Sequence, residues 1–214
     1  GKLKSIDLKS VESIDESAFQ YCSILESVDL NNLTKAGNNA FANSGLVYVV
    51  SLEKLSEVSD YMFSNCVKLE TIYGSLPGTI GVYAFQNCSK LVLSDGQLKT
   101  VTAIGNGAFD SCRGVVGEIS LPQVESIGST AFSRSGITTI DLTGAPITEI
   151  SSSTFENMSN LTKIMISANV NKLGANIFLN SSNLSEIHLL SATPATPEAN
   201  ALKISDNAVY SGTI

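Results

Sequence analysis

The sequence predicts an α/β-type solenoid of about eight to nine coils, each 22–24 residues long, with one parallel β-sheet and short helical or 3-10 turns. Three observations predict this fold. All eight phenylalanines recur at intervals of 22–24 residues, an apolar residue stands five positions before each, and a segment with alternating apolar residues follows. A unit this short cannot bury its own apolar face, so successive units must stack. The landmark residues are Phe19, Phe41, Phe63, Phe85, Phe109, Phe132, Phe155 and Phe178.

The segment that leads into each phenylalanine predicts a tight turn. Glycine stands four positions before the landmark in five coils, where the chain needs either a positive φ or a close approach between backbones. The phenylalanine segment is too short for an ordinary helix, so we expect one helical or 3-10 turn there. The five glycines are Gly37, Gly81, Gly105, Gly128 and Gly174.

The segment after each phenylalanine predicts a half-buried strand, because its last residues alternate between apolar and polar types. The first copies read Leu25, Val28 and Leu30, then Val47, Val50 and Leu52. Outward residues of successive strands then form columns on one face of the sheet. The expected columns are Asp7, Asp29, Ser51, Tyr73, Ser120, Asp141, Met165 and His188, and beside them Ser5, Ser27, Val49, Thr71, Glu118, Thr139, Lys163 and Glu186.

This sheet face is the predicted binding surface, since stacked repeats commonly bind partners there. The alternative is a solvated face that binds nothing. Residues 91–98 are too irregular for the pattern to assign a register. The candidate binding residues are Asp7, Asp29, Tyr73, Asp141, Met165 and His188.

The repeat resembles the BspA-like leucine-rich repeat family, in which Phe and Cys replace the Asn of ordinary leucine-rich repeats. Residues 25–47, "LESVDLNNLTKAGNNAFANSGLV", and 116–140, "VGEISLPQVESIGSTAFSRSGITTI", carry the pattern. The resemblance covers residues 3 to about 190, and the tail is similar to the closing segment of such arrays. It implies a cell-surface or secreted protein, commonly of host-associated bacteria, used for adhesion or recognition.

The four cysteines each stand three residues after a landmark phenylalanine, in a column that elsewhere holds Ser44, Ser135, Met158 and Ser181. A column that accepts Cys, Ser and Met indicates buried free thiols that act as small hydrophobic residues. A disulfide within the consecutive run of three remains the alternative, because strand-type spacing is within the reach of a bridge. Zinc is disfavoured because no short pair of cysteines occurs. The column contains Cys22, Cys66, Cys88 and Cys112.

Composition and motifs argue against several classes of function. The net charge of −7 and the lack of a Lys/Arg cluster disfavour nucleic acid as a partner. No apolar run approaches the ~18 residues of a membrane-spanning helix. The single histidine, His188, occupies an outward strand position without a nucleophile beside it in sequence, so we expect no enzyme, no cofactor and no metal.

We therefore expect a non-catalytic module that recognises a protein or glycan through the sheet face. The alternative is a spacer or stalk that displays another domain of a larger surface protein. We place the repeat array at 1–190 and an atypical, truncated C-terminal coil at 191–214, where Ala208 or Val209 stands near the place of a ninth landmark. Sequence predicts neither the partner's identity nor the oligomeric state.

Overall fold

The computed structural model describes residues 2–94, 96–190, 196–198, 200–205 and 208–209. The chain forms a parallel β-solenoid. A longer strand follows each phenylalanine turn except that of Phe85, and a two-residue strand precedes the next turn. The longer strands are β2 Ser27–Asp29, β4 Tyr48–Val50, β6 Thr71–Tyr73, β9 Val116–Ser120, β11 Gly136–Asp141, β13 Lys163–Ile166 and β15 Glu186–Leu189.

The short strands form a second row on another side of the solenoid, which the sequence did not predict. They pair in parallel with one another in groups of two, four and three strands, in chain order. The last residue of nearly every strand in this row is the apolar residue five positions before the phenylalanine. The strands are β1 Ser13–Ile14, β3 Lys35–Ala36, β5 Glu57–Val58, β7 Thr79–Ile80, β8 Ala103–Ile104, β10 Ser126–Ile127, β12 Glu149–Ile150, β14 Lys172–Leu173 and β16 Thr196–Pro197.

The phenylalanine rings form one continuous stack through the solenoid. Neighbouring ring centroids lie 5.3–6.1 Å apart with interplanar angles of at most 18°. Seven rings are completely buried, and only Phe19, in the first coil, is partly buried. Offset stacking at these distances adds a favourable aromatic contact to the burial of each ring.

The predicted helical or 3-10 turn around each phenylalanine is not confirmed, since the described residues contain no helix. Left-handed backbone angles, with φ of 52–63°, occur two residues before and two residues after every landmark, and they are incompatible with a right-handed helix. The residues involved are Ser17, Tyr21, Asn39, Asn43, Tyr61, Asn65, Tyr83, Asn87, Gly107, Ser111, Thr130, Arg134, Ser153, Asn157, Asn176 and Asn180.

This alternating backbone joins each turn to the next coil. The N–H of Phe41 donates to the carbonyl of Met62 over 2.9 Å, and the N–H of Phe63 donates to Ala84 over 2.8 Å. The intervening N–H of Ala42 closes a local turn on the carbonyl of Asn39 at 3.0 Å. Backbone N–H groups along each turn therefore alternate between bonds within the coil and bonds to the next coil.

The glycines four residues before the phenylalanines serve close packing. None of the five has a positive φ. A Cβ atom on Gly81 would lie 2.7 Å from the carbonyl oxygen of Val58, and one on Gly105 would lie 2.7 Å from the carbonyl carbon of Gly81. Real Cβ contacts are longer, so glycine allows the coils to approach at these positions.

The C-terminal coil differs from the expected arrangement. Leu173 of β14 lies opposite Pro197 of β16, and five residues further on Leu202 packs against the core after the buried Ala201. The expectation that Ala208 or Val209 holds the ninth landmark place is therefore wrong, and Leu202 holds it. β17 Lys203–Ser205 and β18 Ala208–Val209 form an antiparallel pair beyond it. The predicted boundary after residue 190 adjoins residues 191–195, which lie outside the described residues.

Replacing one ring of the stack tests its energetic role. We expect Phe85→Ala to lower the free energy of unfolding by about 3–5 kcal/mol, because the variant leaves a cavity between two rings. Val67→Ala is the control: Val67 is half exposed, so we expect a change within about 0.5 kcal/mol. Urea unfolding measures both, and a loss below about 1 kcal/mol for Phe85→Ala would contradict the role of the stack.

Candidate binding surface

The longer strands form the sheet face, and their pairing decides which side chains point outward. In the first half, Val28, Val49 and Ile72 lie opposite one another and are buried. The residues on either side of them point outward. In the second half, Ser120, Asp141, Met165 and His188 form one outward column, as the sequence predicted.

The predicted register of the second coil is wrong by one residue. Val49 is buried, and the outward positions belong to Tyr48 and Val50 rather than to Val49 and Ser51. The buried residue that begins this segment is Leu46, not Val47. One residue more than in the first coil separates the buried strand residue from Leu52, and the backbone accommodates it at Ser51, whose φ is 61°.

The corrected register brings four exposed or half-exposed apolar side chains together, and we call them the tyrosine patch: Tyr48, Val50, Tyr73 and Val92. The rings of Tyr48 and Tyr73 meet edge to face with centroids 6.2 Å apart. Tyr48 is 42% exposed, Tyr73 is 55% exposed and Val92 is 53% exposed. Adjacent exposed apolar side chains on one face typically mark an interaction site.

The sheet face is interrupted directly beyond the tyrosine patch. The fourth coil, which contains Phe85, contributes a single isolated bridge, from Val92 to Thr71, and no longer strand among the described residues. The buried side chain of Gln97 takes over the missing pairing, since its Nε2 donates to the carbonyls of Ile72 and Gly74 over 2.8 and 2.7 Å. The predicted single sheet is thus two ladders, β2–β4–β6 and β9–β11–β13–β15.

A cleft opens where the second ladder begins. It has a volume of about 480 Å³, and its lining residues are Lys99, Glu118, Ser120 and Asp141. Glu118 is exposed, whereas Ser120 and Asp141 are half-buried. The carboxylates of Glu118 and Asp141 therefore lie on one side of the tyrosine patch, and Asp29 lies on the other side.

The three candidate aspartates share a structural role. Each Oδ1 atom accepts the backbone N–H two residues further along the chain, from Lys9 to Asp7 over 3.0 Å, from Asn31 to Asp29 over 3.2 Å, and from Thr143 to Asp141 over 2.8 Å. These are Asx turns, which close the chain after a strand position. They hold each carboxylate in a fixed place.

The far end of the sheet face is polar and paired within itself. The carboxylate of Glu186 lies 3.3 Å from Lys163 Nζ and 3.2 Å from His188 Nε2. These contacts lower the pKa of Glu186, with the hydrogen bond to His188 as the largest cause. Met165 lies opposite His188 in the register and is half-buried. Exposed ion pairs of this kind contribute little to stability.

All four cysteines are free thiols. Cys66, Cys88 and Cys112 are buried, and the thiol of each donates to the carbonyl of the phenylalanine one coil earlier, over 3.1, 3.1 and 2.9 Å. Ser181 makes the same contact at 2.8 Å, whereas the hydroxyl of Ser135 is buried without a partner. The column thus provides hydrogen bonds inside the core.

Burial controls the ionisation of these thiols. It raises the pKa of Cys66 to about 11 from an ordinary value of 9.0, and it raises the pKa values of Cys88 and Cys112 as well. A thiol with a raised pKa remains protonated near neutral pH, and such a thiol is a poor nucleophile and a poor metal ligand.

Neither a metal-binding cluster nor a membrane-spanning helix occurs in the part of the chain that the structure describes. These residues contain no group of three or more His, Cys, Asp or Glu side chains placed to hold a metal ion. They also contain no helix of the length and hydrophobicity needed to cross a membrane.

Comparison with known proteins identifies the family. Residues 1–92 and 78–206 match the BspA type leucine rich repeat region, in six copies. The chain belongs to the BspA-type leucine-rich repeat family. Such repeats generally serve protein interaction or structural support, and no enzyme family is indicated. A search of curated proteins gave no match.

Several solved structures are similar to this chain, and the first of the following three shows the same fold. The leucine rich repeat protein of T. pallidum is 23% identical, with a TM-score of 0.56 over 86% of this chain and 79% of that one. A Bacteroides ovatus leucine-rich repeat protein is 19% identical, with a TM-score of 0.42 over 91% and 69% of the two chains. A leucine rich cell surface protein of Faecalibacterium prausnitzii is 20% identical, with a TM-score of 0.33 over 90% and 82%.

The buried thiols predict a pH dependence of stability. Below pH 9 the Cys66 thiol is protonated in both folded and unfolded protein, so its titration has no effect. Between pH 9 and 11 the unfolded chain loses this proton while the folded chain retains it, so stability falls as the pH rises.

We therefore expect the wild-type protein to lose about 1 kcal/mol more stability than Cys66→Ser between pH 8 and pH 10. Urea unfolding of both proteins under reducing conditions measures the difference. Serine already occupies this column at Ser44 and Ser181, which makes the variant a conservative one. Equal losses in the two proteins would show that the thiol is not protected by burial.

Proposed function

We propose that this protein is a non-catalytic recognition module that binds a protein or glycan partner through the sheet face, with the tyrosine patch at the centre. Asp29 and Asp141 flank the proposed contact area, whereas Met165 and His188 extend it toward the polar end. BspA-type repeat proteins are often surface proteins, which supports a cell-surface or secreted location and a role in adhesion.

The observation that carries the proposal is the exposed edge-to-face pair of Tyr48 and Tyr73. Their outward strand positions need no aromatic residue for folding, because the inward residues Val49 and Ile72 supply the core contacts of these strands. Large aromatic side chains on a rigid strand supply contact area at low cost in conformational entropy. Tyrosine is also among the residues that most often dominate binding energy at interfaces.

Rigidity of the surrounding sheet supports the same role. Tyr48 and Tyr73 occupy neighbouring strands whose backbones are paired in register, with Tyr73 opposite Val50. The buried Gln97 side chain fixes the carbonyl groups on either side of Tyr73. A partner therefore meets a surface that needs little rearrangement, which favours affinity.

Binding measurements on matched variants test the proposal. A glycan array and a panel of purified secreted proteins would be probed with the wild-type chain, Tyr73→Ala and Tyr21→Ala. Tyr21 is 61% exposed but lies on a phenylalanine turn, so it is the matched control for loss of an exposed tyrosine. We expect Tyr73→Ala to weaken binding about tenfold or more, as for a central interface residue, and Tyr21→Ala to leave it unchanged.

The unfolding midpoints of the three proteins show whether a loss of binding reflects a loss of folding. Binding that survives both Tyr48→Ala and Tyr73→Ala would contradict the proposal. A wild-type chain that binds none of the probes would also contradict it and would favour the role of a spacer.

A further inference from the structure

We infer that the ligand of the tyrosine patch is an extended peptide segment of a protein partner, with apolar residues in its middle and a basic residue on each side. The segment would run along the solenoid axis, across the strands. This inference rests on the proposed function and specifies its partner.

The centre of the surface selects apolar side chains. Tyr48 and Tyr73 present ring edges and faces, and Val50 and Val92 fill the positions beside them. Two valines offer no hydrogen-bonding group to a sugar hydroxyl, and covering a hydroxyl with apolar surface is unfavourable. An aliphatic or aromatic side chain gains from the same contact.

Carboxylates lie on both sides of this apolar centre. Asp29 is directly opposite Val50 in the pairing of β2 and β4, and Glu118 and Asp141 line the cleft beyond Val92. The Asx turns of Asp29 and Asp141 engage one carboxylate oxygen, Oδ1, and hold the group in place. Lys99 also lines the cleft and already interacts within the chain.

Cations are lacking among the outward strand residues of this part of the face. From β2 to β11, the described outward positions include three acidic residues and neither lysine nor arginine. The first outward cation is Lys163, which is already paired with Glu186. The outward residues are Ser27, Asp29, Tyr48, Val50, Thr71, Tyr73, Val92, Glu118, Ser120, Thr139 and Asp141.

The spacing of the coils sets the length of the ligand. Neighbouring strands of a sheet lie about 4.8 Å apart, so four coil steps from Asp29 to Glu118 span about 19 Å, with Tyr73 near the middle. An extended chain covers about 3.3 Å per residue, so about six residues bridge the two carboxylates. A segment with basic residues about six positions apart and an apolar residue between them matches the surface.

Three probes distinguish this ligand from the alternatives. The first is a seven-residue peptide with lysine at both ends and leucine and phenylalanine in the middle. The second is the same peptide with glutamate at both ends, and the third is a neutral six-sugar β-glucan oligosaccharide. We expect the lysine-ended peptide to bind at least tenfold more tightly than the other two, with an affinity that falls as salt is added.

Charge-removing variants locate the contact. We expect Asp29→Asn and Glu118→Gln each to weaken binding of the lysine-ended peptide about three- to fivefold. Asn at position 29 retains the oxygen that accepts the Asn31 N–H, so the Asx turn is kept. Glu57→Gln is the matched control, because exposed Glu57 lies in the row of short strands, away from the sheet face.

The outcomes separate this inference from the proposed function. Oligosaccharide binding that depends on Tyr73 would overturn the inference and leave the proposed function intact. Equal binding of the two charged peptides, or an equal effect of Glu57→Gln, would also overturn the inference. Peptide binding that Tyr73→Ala leaves unchanged would overturn both. Failure of all three probes to bind would overturn the inference alone, because the glycan array and the panel of secreted proteins test the proposed function separately.

Discussion

The stack of phenylalanine rings is the interaction on which the rest of the structure depends. Ring centroids 5.3–6.1 Å apart require consecutive coils to lie at nearly the same distance along the whole array. Backbone hydrogen bonds of the same turns, such as Phe85 to Ala108 at 2.9 Å, impose the same spacing. Each coil must therefore return to its phenylalanine after nearly constant chain length, and extra residues must form loops or bulges.

This constraint separates the residues that hold the fold from those that are free to bind. Inward positions are occupied by the phenylalanines, the aliphatic strand residues and the thiol column, and their burial makes them unavailable to a partner. Outward strand positions are held in register by the same spacing but contribute little to the core. The tyrosine patch is built on such positions, so packing of the core does not dictate its composition.

Much of this arrangement could be predicted from the sequence, because the repeat itself fixes it. The parallel solenoid followed from the phenylalanine spacing, and outward Tyr73, Asp141 and Met165 followed from strand alternation. The register of the second coil could not be predicted in this way, because Val47 and Val50 are apolar and have the same spacing as the buried residues. The sequence nevertheless contained a signal for the correct register. Ser44-Gly45-Leu46 matches Ser135-Gly136-Ile137, and in both coils the phenylalanine is one residue closer to the strand than in the first coil.

The remaining differences have physical causes that periodicity does not record. Asn residues two positions after phenylalanine favour a left-handed backbone. Tyr83 and Arg134 adopt the same conformation, because backbone pairing between coils requires it. The break in the fourth coil depends on the hydrogen bonds from Gln97 to two carbonyl groups, which are tertiary contacts. The tyrosine pair was missed because it required the corrected register.

Native-state hydrogen exchange tests the central claim, that stacked phenylalanine turns fix the coils and leave the sheet face free to recognise a partner. The amides of Phe41, Phe63, Phe85 and Phe109 each donate to the next coil over 2.8–2.9 Å. We predict that they exchange only through global unfolding of the array, with the protection of its most stable part. Exchange of these amides as rapid as that of exposed turn residues such as Thr100 would contradict the account.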